Sequence, residues 1–194
     1  LHATFKLSAG GEDVAIFAAD GLTLLDGFSF GQQQTDVSLA FLPDTTGMKF
    51  LMDPSPGERN RPQPGHTRNY NALDPTQNQI IDFDPLHALE IGYTFGTKTS
   101  NAPPSQQGYI LFATGVDSVQ MGADGTLLLS PSPTMTQFFN TDAAGNGYWS
   151  ATVPNLPTLV GFSVYFQSYV VSGGFSNGIV ATVGEQGISG PTDP

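Results

Sequence analysis

A chain of 194 residues with 39% hydrophobic content suits one or two domains with ordinary cores, which argues against disorder throughout. Six basic residues against seventeen acidic ones give a net charge of −11, so a nucleic-acid backbone or an anionic lipid surface would be repelled. Only 12% of residues are charged while 23 are Gly and 15 are Pro, a balance that favours short strands and turns over helices. Cysteine is absent, which removes disulfides and thiol chemistry, and no apolar run approaches the roughly 20 residues of a membrane-spanning helix.

In chain order, residues 14–17 and 22–30 fit strands joined by an Ala19-Asp20-Gly21 turn, where glycine accepts positive φ. Residues 37–42 give a further strand, Pro43-Asp44-Thr45-Thr46-Gly47 a turn, and 48–52 a last strand before a proline-rich exit. Four or five strands are too few to close a sandwich. From Asp53 to Gln79 the prolines Pro54, Pro56, Pro62, Pro64 and Pro75 alternate with Asn, Gln and Arg and show no period. This predicts a segment crossing the surface, with a flexible linker as the alternative.

Strands are then expected at 80–83, 88–95, 108–114, 126–129, 135–140, 147–152, 159–171 and 178–183. Ala123-Asp124-Gly125, Ala144-Gly145-Asn146-Gly147 and Asn177-Gly178 mark turns between them. This spacing predicts an antiparallel sandwich or jelly roll. In the long run, Phe162, Val164, Phe166, Ser168 and Val170 share one face and Ser163, Tyr165, Gln167, Tyr169 and Val171 the other. Both faces carry large apolar groups, so the second must meet either the rest of the chain or a neighbouring subunit.

The opening stretch from Leu1 to Phe17, then Asp20-Gly21, Ser29-Phe30-Gly31-Gln32-Gln33-Gln34-Thr35-Asp36-Val37-Ser38 and Asp53-Pro54-Ser55-Pro56-Gly57-Glu58-Arg59-Asn60, closely resembles the second half of the bacterial lamin-tail domain. The resemblance covers the first third of the chain. It implies an immunoglobulin-like sandwich with several strands upstream of Leu1, hence a sandwich incomplete at its N-terminus. DNA association does not carry over, because Lys6, Lys49, Arg59, Arg61, Arg68 and Lys98 are scattered. Later residues resemble a C-terminal domain of secreted planctomycete-like proteins that has no assigned activity. The matching segments are Thr141-Asp142-Ala143-Ala144-Gly145-Asn146-Gly147, Pro154-Asn155-Leu156-Pro157, Gly161-Phe162-Ser163-Val164-Tyr165-Phe166-Gln167 and Ser176-Asn177-Gly178. The expected organisation is a partial lamin-tail-like sandwich over 1–60, a crossing segment over 61–79, a second sandwich over 80–185 and a tail over 186–194.

Chemistry is sparse. His2, His66 and His87 lie far apart, and neither a Gly-x-Ser-x-Gly elbow nor a phosphate-binding glycine loop is present. Asp82 and Asp84 alternate on one strand with Glu90 following, a pairing that could serve glycoside hydrolysis or calcium, although a polar strand end before Pro85 is the ordinary reading. Asp142 and Asn146 could hold calcium or simply cap their turn. Tyr148-Trp149, Phe138-Phe139 and Tyr165 could form an aromatic platform for sugar rings, with core packing the favoured alternative. No catalytic, cofactor-binding or metal-binding residue is therefore assigned.

These readings converge on an all-β fold of antiparallel immunoglobulin-like or jelly-roll sandwiches. The expected function is a non-enzymatic extracellular structural subunit that self-associates, forming a fibre by strand sharing between chains. Phe5, Leu7, Val14, Ile16, Tyr165 and Tyr169 are the candidate interface residues. The alternative is an accessory module of a larger secreted protein that binds carbohydrate or another surface ligand. Expected partners are copies of the chain, or surface glycans, with neither nucleic acid nor membrane insertion. A hydrolase built on Asp82 and Asp84 is the third reading.

Overall fold

The computed structural model describes residues 5–33, 35, 37–42, 48–52, 54, 56–57, 60, 64–71, 79–83, 88–131 and 134–186. Across them the chain is all-β, with antiparallel sheets and only two short 3₁₀ turns, at Gly122–Asp124 and Pro157–Leu159. The strands are β1 (Glu12–Phe17), β2 (Leu24–Phe30), β3 (Ser38–Leu42), β4 (Met48–Met52), β5 (Thr67–Tyr70), β6 (Ile80–Phe83) and β7 (Thr94–Ser100). They continue with β8 (Gln107–Ala113), β9 (Val116–Gln120), β10 (Thr126–Leu129), β11 (Thr134–Asn140), β12 (Gly147–Thr152), β13 (Ser163–Val170) and β14 (Gly174–Thr182).

A seven-stranded sheet in the order β11-β8-β13-β14-β5-β4-β3 forms the backbone of the fold, and a three-stranded sheet, β12-β7-β6, packs on one of its faces. Between these two sheets lies a core built on Ile81, Phe95, Ile110, Phe139, Phe166 and Ile179. On the opposite face of the large sheet the β9–β10 hairpin closes a second core, with Leu128 and Leu129 packed on Leu42, Phe50, Tyr70, Tyr165 and Val180. The middle of the large sheet is therefore a central layer. This explains why every residue of β14 is buried and why β13 shows no apolar–polar alternation.

Polar side chains bolt the layers together. The Gln167 carboxamide, fully buried, accepts a hydrogen bond from the Leu128 amide (2.9 Å) and donates to the carbonyls of Thr126 (2.9 Å) and Ser176 (2.8 Å), which fastens β10 to β13. On the other face Asn177 fastens β6 to β14 through the backbone of Ile81. The carboxamide oxygen and nitrogen of both Gln167 and Asn177 meet partners, which is what permits these two polar side chains inside an apolar core.

Several expectations change in contact with this architecture. The strand expected at 88–95 forms instead at Thr94–Ser100, while Glu90 approaches the end of the chain through a parallel bridge to Gly184. A strand, β5, arises within the expected crossing segment, and β9 arises where none was expected. β4 does not want for a second neighbour: it joins β5 through Met52 opposite Tyr70 and through the Asn71 amide on the Leu51 carbonyl. The large sheet thus runs through all three expected segments, taking β3 and β4 from the first, β5 from the second and β8, β11, β13 and β14 from the third. Tyr165 is corrected as an interface residue: it is 3% exposed, covered by the chain's own β9–β10 hairpin and by Tyr70. The turn expected at 43–47 and the tail beyond 186 lie outside the described residues.

Candidate functional site

Two apolar features stand out, one projecting and one concave. The first is the β1–β2 hairpin, which among the described residues pairs with no third strand. Its turn is organised by Asp20, whose carboxylate accepts hydrogen bonds from the Leu22 and Thr23 amides (both 2.9 Å) and from the Thr23 hydroxyl (2.6 Å). The Thr23 hydroxyl, followed by the two amides, holds the Asp20 carboxyl down to about 2. Gly21 takes φ 70°, the left-handed conformation this tight reversal requires. A register shift beside Ile16 leaves Leu25 as an extra residue on β2.

The hairpin tip is strongly apolar. Leu22 is 85% exposed, and Ile16, Phe17, Leu24 and Leu25 around it are all more than half exposed. At the other end the hairpin is tethered rather than merged: the Lys49 ammonium lies 5.0 Å from the Phe28 ring and donates to the Ser29 carbonyl at 3.0 Å, and Phe28 meets Phe41 edge-on. A gap of about 290 Å³ remains beneath this root, between Leu7, Phe28, Phe30 and Leu39. Of the expected interface residues, Phe5 (67%), Leu7 (56%) and Ile16 (60%) are exposed beside this hairpin and Val14 is half-buried. The sequence reading missed Leu22, Leu24 and Leu25, which it had placed in an ordinary strand.

The concave feature lies between β11, an edge of the large sheet, and β12, an edge of the small one. A turn closed by the Thr141–Gly147 bridge joins the two strands. At that end the Phe139 ring fills the gap, seated over Gly108 and Gly147, where a Cβ would come within 2.4 and 2.1 Å of the ring. Farther along, a cavity of about 580 Å³ opens between the sheets. Its walls carry Phe95, Phe112, Trp149 and Phe166, with Met135 and Phe162 among the residues that line it. Trp149 stacks on Phe112 at 5.9 Å and 29°, and meets Phe95 edge-on at 5.6 Å. Among the described residues the polar lining is Thr114, Gln137, Ser150 and Thr152, and none of the lining residues carries a charge.

The five aromatics weighed as a sugar platform do not share one surface, and core packing, the favoured reading, holds for three of them. Trp149, Phe139 and Tyr165 pack inward, while Tyr148 and Phe138 project from strands of different sheets. A different aromatic row takes shape on the outer face of the large sheet, where Phe138, Tyr109, Tyr169 and Phe175 occupy directly opposed positions on four adjacent strands. Their rings lie 6.4, 6.4 and 4.9 Å apart in succession. Burial, and then the neighbouring Asp124 carboxylate, raise the Tyr169 phenol above its ordinary value.

The titratable candidates remain dispersed. Asp82 sits opposite Lys98 in the β6–β7 register, and Asp84, His87 and His2 lie outside the described residues. The Asp142 carboxylate accepts from the Ala144 and Asn146 amides, both at 2.8 Å, so it organises its own turn, and those hydrogen bonds, led by Asn146, lower its pKa. Among the described residues no group of three or more His, Asp and Glu side chains is arranged to hold a metal. No helix among the described residues is long and apolar enough to cross a membrane. No family model matches the chain, and no curated protein matches it.

Proposed function

We propose that this chain is a non-enzymatic structural subunit of an extracellular assembly and that it self-associates through the β1–β2 hairpin. The observation that carries the reading is the hairpin tip, where Ile16, Phe17, Leu22, Leu24 and Leu25 hold large apolar side chains in water around a single turn. Solvent exposure of five such groups is costly, since burying each contributes about 1.5 to 3 kcal/mol. A two-stranded ribbon also leaves both outer edges ready to accept another strand. The resemblance of the opening segment to a lamin-tail domain, a sandwich in which such strands are flanked by others, supports the same reading and an extracellular setting. If the contact is head-to-tail and does not close on itself, it propagates into a fibre.

Sedimentation velocity over a range of concentrations tests this. The chain is expected to form species larger than the monomer, and Leu22→Asp with Leu24→Asp is expected to return it to the monomer. A chain that stays monomeric at high concentration, with amides of β1 and β2 protected from exchange, removes the proposal.

One observation favours a second reading, an accessory module that binds glycans. The Phe138–Tyr109–Tyr169 row presents ring surface on an outer sheet face, with Phe138 72% exposed. Apolar ring faces stack on sugar rings. Glycan binding lost in Phe138→Ala supports it, and flat titrations against soluble glycans remove it. Trp149→Ala is the wrong probe, because that ring packs against Phe95 and Phe112.

A further inference from the structure

We infer that the cleft between β11 and β12 is the receptor for the β1–β2 hairpin tip of a second copy. This rests on the self-association proposed above and names the surface that receives the hairpin. The cleft and the tip complement each other in chemistry. One is a concavity of about 580 Å³ whose lining carries no charge, and the other is a projecting turn headed by Leu22 and flanked by Ile16 and Leu24. An uncharged lining cannot pair an ionic guest, so burial there favours a neutral apolar one. The single carboxylate at the turn, Asp20, is already engaged by the Leu22 and Thr23 amides and stays at the mouth, in water.

Backbone geometry points the same way. The cleft is flanked by two sheet edges, β11 and β12, so a hairpin entering between them can extend either sheet with its own unpaired edge. Tip and cleft are different surfaces of one chain, which makes the contact heterologous: each copy offers one tip and one cleft, and the chain of contacts continues unless its rotation closes a ring. Association works against the −11 charge of each copy, so salt is expected to strengthen it.

The test uses two variants. Leu22→Asp spoils the tip and leaves the cleft intact, while Ala151→Phe fills the cleft and leaves the tip intact. Each alone is expected to weaken self-association at least about tenfold. Mixed in equal amounts they are expected to form a one-to-one heterodimer that grows no further, because together they hold one working tip and one working cleft. Trp149 is the only tryptophan and lines the cleft, so its emission is expected to shift in the mixture through Leu22→Asp, whose cleft is filled. Met135→Lys, at a rim position already 59% exposed, provides a cleft variant that does not disturb packing and is expected to act like Ala151→Phe.

If Leu22→Asp abolishes association while both cleft variants associate normally, the receptor lies elsewhere: the inference falls and the self-association reading stands. If the unaltered chain is monomeric, both fall. A saturable Trp149 shift with monolauroylglycerol in a chain that never self-associates would assign the cleft to a neutral lipid chain and overturn the inference.

Discussion

The Asn177 carboxamide takes the place of a neighbouring strand for Ile81: its oxygen accepts from the Ile81 amide at 2.8 Å and its nitrogen donates to the Ile81 carbonyl at 3.2 Å. Ile81 and Asn177 are both fully buried, so neither backbone group can turn to water when the side chain is removed. The pair joins the three-stranded sheet to the seven-stranded one at the edge strand β6, the edge opposite β12.

Asn177→Ala is therefore expected to cost about 2 to 4 kcal/mol, since two buried backbone groups lose their partners. Equilibrium urea unfolding reads this as a lower midpoint at unchanged slope. Asn177→Asp, which retains the acceptor but buries a charge and turns an oxygen toward the Ile81 carbonyl, is expected to cost at least as much at neutral pH. A midpoint that does not move in Asn177→Ala contradicts the role given to this side chain.

Tyr70 gives the opposite prediction. Its ring lies against Gly178, where a Cβ would come within 2.1 Å, and it meets Phe50 and Tyr165 edge-on, yet its buried hydroxyl has no hydrogen-bond partner among the described residues. Desolvation raises its pKa well above the ordinary phenol value. Tyr70→Phe keeps the ring packing and removes a group that is costly to bury. Stability is expected to stay level or rise by about 1 kcal/mol, whereas a loss of that size would mean the hydroxyl is satisfied in solution.

These residues also show what the sequence could and could not tell. Asp20-Gly21 announced a turn because its chemistry is local, and the alternating strands around it followed with boundaries within a few residues. The all-β fold was legible from the same turns. Thr67-Arg68-Asn69-Tyr70 was not legible as a strand, because nothing in that polar run has strand periodicity; it pairs with β14, where Gly178 leaves room for the Tyr70 ring. The two apolar faces of β13 were visible, but not that β9–β10 would cover one of them. Exposure of Leu22, Leu24 and Leu25 was equally hidden. Apolar residues on a strand read alike whether or not a third strand lies beside them, and only the sheet order decides that.

The hairpin turn carries a pH dependence whose sign follows from Asp20. Its folded pKa of about 2 lies below the ordinary 3.8, so the stabilisation from the ionised carboxylate is fully present above pH 3.8 and is lost as pH falls through about 2. Proton NMR of the Leu22 and Thr23 amides is expected to report a midpoint near pH 2. Asp20→Ala is expected to abolish that transition and to speed hydrogen exchange at both amides at neutral pH, with the two cores unaffected. A midpoint near 3.8 in the unaltered protein means the three hydrogen bonds are not held in solution.

Phe139 belongs to the core between the sheets and lies over both Gly108 and Gly147, and this makes a coupled prediction. Gly147→Ala places a methyl group 2.1 Å from the Phe139 ring, which also lies over Gly108, where an added Cβ would come within 2.4 Å. Overpacking of this kind costs about 1 to 3 kcal/mol. Phe139→Leu alone also destabilises, by leaving a void at the closed end of the sandwich. Combined, the smaller leucine accommodates the new methyl, so the double variant is expected to be more stable than the sum of the single losses predicts, with a coupling of at least about 0.5 kcal/mol. Strict additivity would mean that Phe139 does not fill the space over Gly147.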